Sequence, residues 1–454
     1  RSLYGQILRR IDVRLLPFAV TVYFFSQLDK HNLGQAHARD FDADLHLKGN
    51  QFAGLLSIYF PCYLILHYIS GIFLAQLRPR RLIPTTVLWC GVTTFCLTFC
   101  TNFTQMALGR LLLGMFEGSL SPCITILFAS WYPMEKIATR LMLLHLASPI
   151  SGLIGACVTA GFYQLDGMDG LQGWQWMFCV EGLTTILISF PGYWLLPNLV
   201  EQDGDRFKTN GERQIQRGKS RVPLNDFTWH QVLRPFTELK IYLYSITAAS
   251  SQVASSNIAN FGPMIIKEMG YEGAKINLLS AGPLALSVFI MLICAVLADR
   301  KGMRSSLLLP CLSLITIGQF LIFFDIHSKS VTYGAMYLIA GFSGPCNTLI
   351  TVWCAGNIGP QYTKMATLAL CLLSHTSATL ISVNLFPPTD APLFWHAHLA
   401  GLICIVIAIV SASLLTLVLW FENHKREKKA FWNLEHLSNE EFARLGDRHP
   451  GIRY

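Results

Sequence analysis

The sequence predicts an all-α membrane protein, with twelve transmembrane helices arranged in two pseudo-symmetric six-helix bundles. Of its 454 residues, 52 % are apolar and only 14 % are charged, against about 25 % charged residues in soluble globular proteins. Apolar runs of about 20 residues recur along the chain, and each is long enough to cross a hydrocarbon core of roughly 30 Å as a helix. One long polar stretch separates the first six runs from the last six.

The spans divide the chain into two halves joined by a linker. We expect a first half at 1–197, a cytoplasmic linker at 198–235, a second half at 236–421 and a cytoplasmic tail at 422–454. No cleavable signal peptide is expected, because basic residues lead straight into the first apolar run. The twelve predicted spans are 15–36, 51–75, 82–100, 103–130, 140–163, 175–196, 237–263, 277–298, 305–324, 331–356, 364–386 and 394–421.

The basic residues predict the orientation of the chain. Most of its 35 Lys and Arg residues fall in alternate connections that share a side with both termini, which places the termini in the cytoplasm. The net charge of +8 is therefore a topology signal, and no nucleic-acid partner is expected. The 13 cysteines show no paired spacing and mostly lie within apolar spans, where they act as small packing residues. We expect a monomer in contact with membrane lipid, without a bound metal.

A short basic loop recurs at matching places in the two halves. The stretch AVLADRKGMR (295–304) follows span 8, and GIFLAQLRPRR (71–81) follows span 2. The pattern D-R-K-G-x-R resembles the loop motif of the major facilitator superfamily, which also has twelve spans in a 6 + 6 arrangement. The resemblance implies that the motif residues form a cytoplasmic latch with a gating or structural role: Asp299, Arg300, Gly302 and Arg304.

A narrower resemblance covers nearly the whole chain. Seven stretches in the expected order are similar to fungal members of the anion:cation symporter family, which includes allantoate, nicotinate and pantothenate permeases. The resemblance implies a multi-pass protein of the fungal plasma membrane, with an internal membrane as the alternative. The stretches are RIDVRLLPF, QLDKHNLGQA, RLLLGMFEGSLSP, SWYPMEKIATR, GWQWMFCVEGLTT, FGPMIIKEMGYEGAKINLLSAGP and VWCAGNIGPQYTKMATLAL.

Four ionisable residues lie inside the first and fourth spans, where a charge is expensive and normally faces a cavity or a partner. Arg110 and Glu117 are seven residues apart, which puts them on one helix face about 10 Å apart along the axis. Counting residues from the predicted membrane surfaces places Asp29, Lys30 and Arg110 at one level, with Glu117 deeper. We therefore expect a charged cluster between these two spans.

The family resemblance assigns roles within this cluster. It implies that Arg110 and the basic residue at position 30 hold the substrate anion, and that Glu117, and secondarily Asp29, carry protons. The sequence has Lys30 where the family usually has Arg, so the planar fork that grips a carboxylate with two bonds is lost there. Two alternatives stay open. In one, Lys30 extends toward the outer interface while Asp29 pairs with Arg110. In the other, Glu117 and Asp29 are structural acids, each permanently paired with a cation.

Further polar residues in the spans are candidates for the substrate path. Tyr63 fits the family pattern and has a phenolic group that can bind a carboxylate, although simple packing is as good an explanation. Asn257 lies in span 7, which polar residues and Pro263 interrupt, and such helices commonly line the path. Glu181 is interpreted as a helix-packing residue and His67 as a packed, hydrogen-bonded group. The other candidates for substrate binding are Asn347, Trp353 and His375, and Asn357 is grouped with the gating residues.

The function that these patterns favour is import of a small organic anion, a carboxylate, coupled to protons through alternating access. Two alternatives remain. ALASPISGLIGA in span 5 resembles part of the motif of superfamily antiporters, which would export drugs or secondary metabolites, and a non-transporting nutrient receptor would share the same fold. No nucleotide loop, metal cluster or nucleophile triad is present in the sequence, so no enzyme activity is expected. No cofactor is expected beyond protons as the coupling ion.

Overall fold

A computed structural model of the protein describes residues 3–37, 41–48, 51–132, 134–197, 233–271, 274–301, 304–324, 328–358, 361–383 and 395–430. Within these ranges the structure is helical and contains no strand. The long helices are α1 (Leu3–His37), α2 (Gln51–Leu77), α3 (Pro79–Leu97), α4 (Phe103–Trp131), α5 (Met134–His145 and Ala147–Phe162), α6 (Gly173–Leu195), α7 (Leu239–Glu268), α8 (Ala274–Lys301), α9 (Arg304–Phe324), α10 (Lys329–Gly356), α11 (Gln361–Val383) and α12 (Trp395–Ala430).

Each of the twelve predicted spans corresponds to one of these helices. By length and composition, ten of the described helical stretches are apolar enough to cross a membrane. Helices α3 and α7 are not among the ten; α7 carries the polar run Ser250–Ser251–Gln252 and the pair Ser255–Ser256. The largest boundary errors are at the two ends, since α1 begins at Leu3 and α12 continues to Ala430. The predicted linker lies almost wholly outside the described residues.

The fifth helix is interrupted in a way that the predicted span 140–163 did not include. It begins earlier, at Met134, and a turn at Leu146 separates its two segments. Pro149 explains the interruption, because a proline has no N–H to donate to the carbonyl of His145 four residues earlier and its ring crowds that carbonyl. The kink places His145 at the bend.

Glycines set how closely two pairs of helices approach in the first half. A Cβ atom at Gly118 of α4 would lie 2.4 Å from the backbone oxygen of Tyr63, and one at Gly114 would lie 2.2 Å from that of Tyr59. Helix α2 is thus in direct contact with the α4 backbone, as at small-residue crossings in membranes. A Cβ at Gly182 of α6 would meet the α3 backbone at Phe95, 2.5 Å away. These contacts bring α2 beside Glu117 and α3 beside Glu181.

The two sets of helices, α1–α6 and α7–α12, contact each other through α2 with α11 and through α5 with α8 and α10. A Cβ at Gly71 of α2 would lie 2.7 Å from the Cβ of Ala369 on α11, so these helices touch near the end of α2.

Asn102 caps α4 by accepting a hydrogen bond of 3.0 Å from the backbone N–H of Gln105. The cap fixes the register of the helix that carries Arg110 and Glu117.

Candidate functional site

The charged side chains predicted to cluster in the first half are buried inside the protein. Asp29 is 3 % exposed, Arg110 4 % and Glu117 1 %, while Lys30 is half-buried. Glu181 of α6, which the sequence assigned to helix packing, is buried beside them at 4 %. Buried charges require partners, so the contacts of each group show how the cluster is built.

Glu117 is held by a hydroxyl group from another helix. The phenol of Tyr59 on α2 donates a hydrogen bond of 2.5 Å to Oε2 of Glu117. Its other oxygen, Oε1, is buried and has no hydrogen-bond partner among the described residues. Glu117 therefore has one fixed oxygen and one oxygen that is open to another partner.

Lys30 extends toward α2. Its Nζ atom lies 3.4 Å from the hydroxyl of Tyr63 and 5.0 Å from the centre of the same ring, a cation–π distance. Lys30 also interacts electrostatically with Glu117. The geometry thus joins Lys30, Tyr63 and Glu117, three of the residues predicted to bind substrate or carry protons.

Arg110 interacts with Glu117 and Asp29, and part of its guanidinium group has no hydrogen-bond partner among the described residues. Two of its guanidinium nitrogens, Nε and Nη2, are buried without a partner among the described residues. Arg110 interacts electrostatically with Glu117 and Asp29, but no direct ion pair joins any two of Asp29, Lys30, Arg110 and Glu117 in the described part of the chain. An unsatisfied buried guanidinium is rare in native proteins, and here it aims unused donors into the cluster.

A hydrogen-bonded network connects Asp29 to Glu181. The side-chain amide of Asn32 donates to Oδ1 of Asp29 at 3.4 Å and also to Glu181. Thr94 of α3 donates to Oδ2 of Asp29 at 3.3 Å. The carboxyl groups of Asp29 and Glu181 therefore lie side by side and share one donor, Nδ2 of Asn32. Asp29 is thus oriented toward α3 and α6, while Lys30, its neighbour in sequence, points toward α2.

The polar residues predicted in the second half form neutral networks. Asn347 of α10 donates to Oε1 of Gln252 at 2.8 Å and accepts a hydrogen bond of 3.2 Å from Ser251, both on α7. Asn357 donates to the hydroxyl of Tyr244 at 2.6 Å. The Tyr244 ring also packs against Trp353, with ring centres 5.5 Å apart. Trp353 and Asn357 therefore lie in the packing between α7 and α10, and both are buried.

Three histidines lie where the two sets of helices meet. His145, at the kink of α5, lies 3.1 Å from the hydroxyl of Thr348 on α10. His375 of α11 interacts electrostatically with both His145 and Lys30. His67 stacks on Tyr63, with ring centres 5.3 Å apart, and both of its ring nitrogens are buried without a partner in the described structure. His375 is therefore placed on the same side of the first half as Lys30 and Tyr63.

The sequence predicted Asp299 in a loop after span 8, but it lies in the last turn of α8 and contacts the first half from there. Its carboxylate accepts hydrogen bonds from the backbone N–H groups of Ala138 and Thr139 at 3.0 and 3.1 Å. These groups belong to the first turns of α5, where the helix dipole favours a negative charge. Arg140 of the same turn lies 3.9 Å from Asp299 and makes a two-pronged contact with Asp12 at 2.7 and 3.1 Å. Asp299 thus connects the two sets of helices.

Four of the predicted residues fall outside what the structure describes. Gly302 lies outside the described residues, as do the side chains of Asn257, Arg300 and Arg304. Sequence reasoning missed three groups that the fold brings to the cluster: Tyr59, Asn32 and Thr94. The glycines at 114 and 118 were the available signal for Tyr59, because small residues four apart on α4 allow another helix to approach the face beside Glu117.

Comparison with known proteins yields consistent matches across the chain. A family model described as Major Facilitator Superfamily matches residues 18–381. A high-affinity nicotinic acid transporter of Saccharomyces cerevisiae is 26 % identical over 464 residues, covering 99 % of this chain and 84 % of the relative. An uncharacterized transporter of Schizosaccharomyces pombe is 27 % identical over 434 residues, covering 94 % and 86 %. The structure of a proton:xylose symporter, XylE, superposes with a TM-score of 0.69 at 15 % identity and covers 91 % of this chain and 96 % of its own.

Proposed function

Because the chain belongs to the Major Facilitator Superfamily, we propose that it imports a small organic anion, a carboxylate, together with protons by alternating access. A transporter of this superfamily moves a small molecule across a membrane. That this molecule is an anion is the more specific part of the proposal. One relative is a nicotinic acid transporter, and nicotinic acid carries one carboxyl group. The similarity to the proton:xylose symporter supports the fold alone.

The observation that carries the proposal is the pair of cations that act on Glu117. Lys30 and Arg110 both act on Glu117 without a direct ion pair, and two nitrogens of Arg110 have no partner in the described structure. A carboxylate is a good acceptor for such donors, because charge-assisted bonds to guanidinium and ammonium groups are roughly twice as strong as neutral ones. Tyr63 adds a hydroxyl beside Lys30.

The charges of the cluster supply a reason for proton coupling. Three acids, Asp29, Glu117 and Glu181, face two cations, so the fully ionised cluster carries an excess negative charge and repels an anion. Protonation of one acid makes the cluster neutral overall and removes this repulsion, so that an anion can approach the two cations. Glu117 is suited to this role, since it interacts with both Lys30 and Arg110 and has an oxygen without a partner among the described residues. Proton and anion would therefore bind together.

The remaining features complete the proposal. Both termini face the cytoplasm, Asp299 and the motif around it act as a latch that closes the inner side, and the membrane is the fungal plasma membrane. Asn347 and His375 contribute to the substrate path from the second half. The alternative, an antiporter that exports its substrate, would use the same cluster in the opposite direction. The feature that favours it is the stretch with Pro149 that kinks α5, because it resembles part of the antiporter motif.

The test is uptake of a panel of radiolabelled carboxylates into proteoliposomes at an acidic and at a neutral external pH. We expect at least one carboxylate to accumulate, with a faster rate at acidic pH. Glu117→Gln should abolish accumulation driven by a proton gradient and spare counterflow exchange, which needs no net proton movement. Glu238→Gln is the control, since Glu238 pairs with Lys240 at 3.2 Å, away from the cluster.

Three outcomes would contradict the proposal. Proton-driven accumulation that survives Glu117→Gln would remove this residue from proton coupling. Release of substrate from loaded vesicles when the proton gradient is directed against it would identify an exporter. Binding of a carboxylate without any flux would identify a receptor.

A further inference from the structure

A pair of carboxyl groups lies between α1 and α6. Nδ2 of Asn32 donates to both Asp29 and Glu181, so the two carboxyl groups lie side by side, and both are buried. Two carboxyl groups that touch inside a protein do not both ionise, because the second negative charge would be repelled at short range without water to screen it. A pair in this position is most stable when it holds one proton.

The surroundings of the pair match a single negative charge. From α1, the side-chain amide of Asn32 donates to both carboxyl groups, and from α3, Thr94 donates to Asp29. From α4, Arg110 acts on Asp29 as the one nearby cation among the described side chains. Its nitrogens Nε and Nη2 are buried and without a partner there. One cation and a singly charged pair balance each other, whereas two ionised carboxylates would not.

The remaining titratable groups that face the pair do not alter this balance. Glu117 of α4 acts on Asp29 as a further negative charge, which strengthens the case for a shared proton. Cys90 of α3 also interacts with Asp29, and a thiol is a neutral neighbour at ordinary pH. Lys30 follows Asp29 in sequence, but its ammonium group is directed to Tyr63 on α2.

The pair is separated from the region where the two sets of helices meet. It lies among α1, α3 and α6, where Gly182 brings α6 into contact with the α3 backbone at Phe95. Lys30, Tyr63 and His375 lie on the other side, facing the second set of helices. A proton on the pair is therefore enclosed within the first half, while Glu117 interacts both with Arg110, next to the pair, and with Lys30.

From these contacts we propose that Asp29 and Glu181 keep one proton between them throughout the transport cycle, so that the pair carries a single negative charge opposite Arg110. The inference rests on the proposed function and deepens it. Because the charges of the pair and of Arg110 balance, Glu117 is the acid that binds and releases the transported proton, and Lys30 is the cation left for the substrate. One proton on Glu117 then accompanies one monocarboxylate on Lys30, and Glu181 sets the resting charge of the site without itself delivering a proton.

The first experiment uses infrared difference spectra of the purified full-length protein. The wild-type spectrum minus that of Glu181→Gln should contain the carbonyl stretch of a protonated carboxyl group at neutral pH. The same band should appear in the difference with Asp29→Asn, because either change leaves one carboxylate that Arg110 keeps ionised. Absence of the band from both differences overturns the inference, and the proposed function would still stand.

The second experiment compares transport by the two single variants and the double variant. Glu181→Gln keeps the Asp29 carboxylate opposite Arg110, so we expect its proton-driven accumulation to stay within about threefold of the wild type. Two sites that share one function are not additive. In the double variant Arg110 has no carboxylate of the pair opposite it, so accumulation should fall by at least about tenfold.

Counterflow exchange and elution from a sizing column confirm that each variant is folded. If Glu181→Gln loses accumulation while counterflow persists, Glu181 carries a transported proton and the inference is wrong. Losses that simply add in the double variant would indicate two independent packing contacts and would also overturn it. If the wild type itself shows no proton-dependent carboxylate uptake, the proposed function fails, and the infrared result still decides whether the proton is shared.

Discussion

The interior of the first half and that of the second half are built from different chemistry. In the described helices α1–α6, the buried and half-buried polar groups include three acids and two cations near one another: Asp29, Glu117, Glu181, Lys30 and Arg110. In α7–α12, the networks around Asn347 and Asn357 consist of amides, hydroxyls and a phenol. The charge of an acid changes with protonation, whereas an amide stays neutral. The proposed function therefore assigns proton coupling to the first half and neutral substrate contacts to the second.

The comparison has a second aspect, which is the completeness of hydrogen bonding. Asn347 and Asn357 donate to a glutamine and a tyrosine at 2.8 and 2.6 Å. In contrast, Arg110 and Glu117 each keep buried atoms without a partner in the described structure. Satisfied networks rigidify a protein, whereas unsatisfied buried groups require an explanation such as a ligand. The first half therefore has the groups that a substrate or proton would complete.

The largest expected effect comes from removing the unsatisfied cation. Arg110→Ala leaves Glu117 and Asp29 without the cation that balances them, and breaking a buried charge balance typically costs about 3–5 kcal/mol. We expect carboxylate uptake to fall by at least about a hundredfold, with partial recovery in Arg110→Lys, which keeps the charge and loses the fork. Initial uptake rates in proteoliposomes measure the effect.

The matched control is Arg80→Ala, because Arg80 binds one backbone carbonyl, that of Tyr193, at 2.8 Å within the same half. Uptake by this variant should stay close to that of the wild type. If Arg80→Ala and Arg110→Ala reduced uptake equally, loss of a helix-packing contact would explain both, and the contrast between the two halves would lose its basis.

The second effect concerns the packing that presents the charges. In Gly118→Ala the added Cβ would lie 2.4 Å from the backbone oxygen of Tyr63, so α2 must move away from α4. Overpacking of this kind costs about 1–3 kcal/mol, and it displaces Tyr59 and Tyr63 from Glu117 and Lys30. We expect a lower thermal unfolding midpoint and slower uptake.

Gly334→Ala is the comparison in the second half, because a Cβ at Gly334 of α10 has no neighbour within 4 Å. This helix should accept alanine without loss, since alanine is the better helix former. Equal destabilisation of both variants would show that the close approach of α2 to α4 is not what positions the cluster.

The sequence predicted the fold well because its signals are repeated and local. Apolar runs separated by polar connections are strong evidence for spanning helices, and every predicted span corresponds to a helix. The kink at Leu146 was missed because its cause, Pro149, acts on a carbonyl four residues earlier and leaves the apolar run intact. The early start of α1 was missed because its first turns are polar and lie before the apolar run.

The site was predictable only in part. Arg110 and Glu117 lie on one helix without a direct ion pair, as their spacing predicted, and Arg110 interacts with Asp29 while Glu117 interacts with Lys30. Spacing along one helix cannot show which side chains from other helices complete the cluster, so Tyr59, Asn32 and Thr94 were missed. Trp353 was a candidate for substrate binding, but it packs against Tyr244 between α7 and α10. The sequence of one helix cannot show such a contact.

The third effect concerns the contact between the halves. In Asp299→Asn a neutral amide replaces the carboxylate that accepts from Ala138 and Thr139 at the start of α5. Hydrogen bonds to a charged acceptor are worth about 1.5–3 kcal/mol, against about 0.5–1.5 kcal/mol for neutral ones. The contact between α8 and the start of α5 therefore weakens, and the two helices separate there more often. Spin labels at exposed positions 136 and 296, on α5 and α8, should show a larger population at long distance.

Asp166→Asn provides the control within one half. Asp166 accepts a hydrogen bond of 2.8 Å from the backbone N–H of Gly173 at the start of α6, a contact of the same kind that does not join the halves. The label distances should not change in this variant. A shift in both variants, or in neither, would argue against Asp299 as the latch.

The smallest effect is expected in the neutral network of the second half. Asn347→Ala removes hydrogen bonds to Gln252 and Ser251, each worth about 0.5–1.5 kcal/mol. We expect the KM for the transported carboxylate to rise by less than about tenfold, with the same pH dependence as the wild type. The control is Gln319→Ala, because Gln319 binds the backbone of Ala254 at 2.8 Å elsewhere in the same half and should leave KM unchanged. A change in the pH profile of Asn347→Ala would contradict the division of roles, because an amide that only contacts substrate cannot alter how the acids of the other half bind protons.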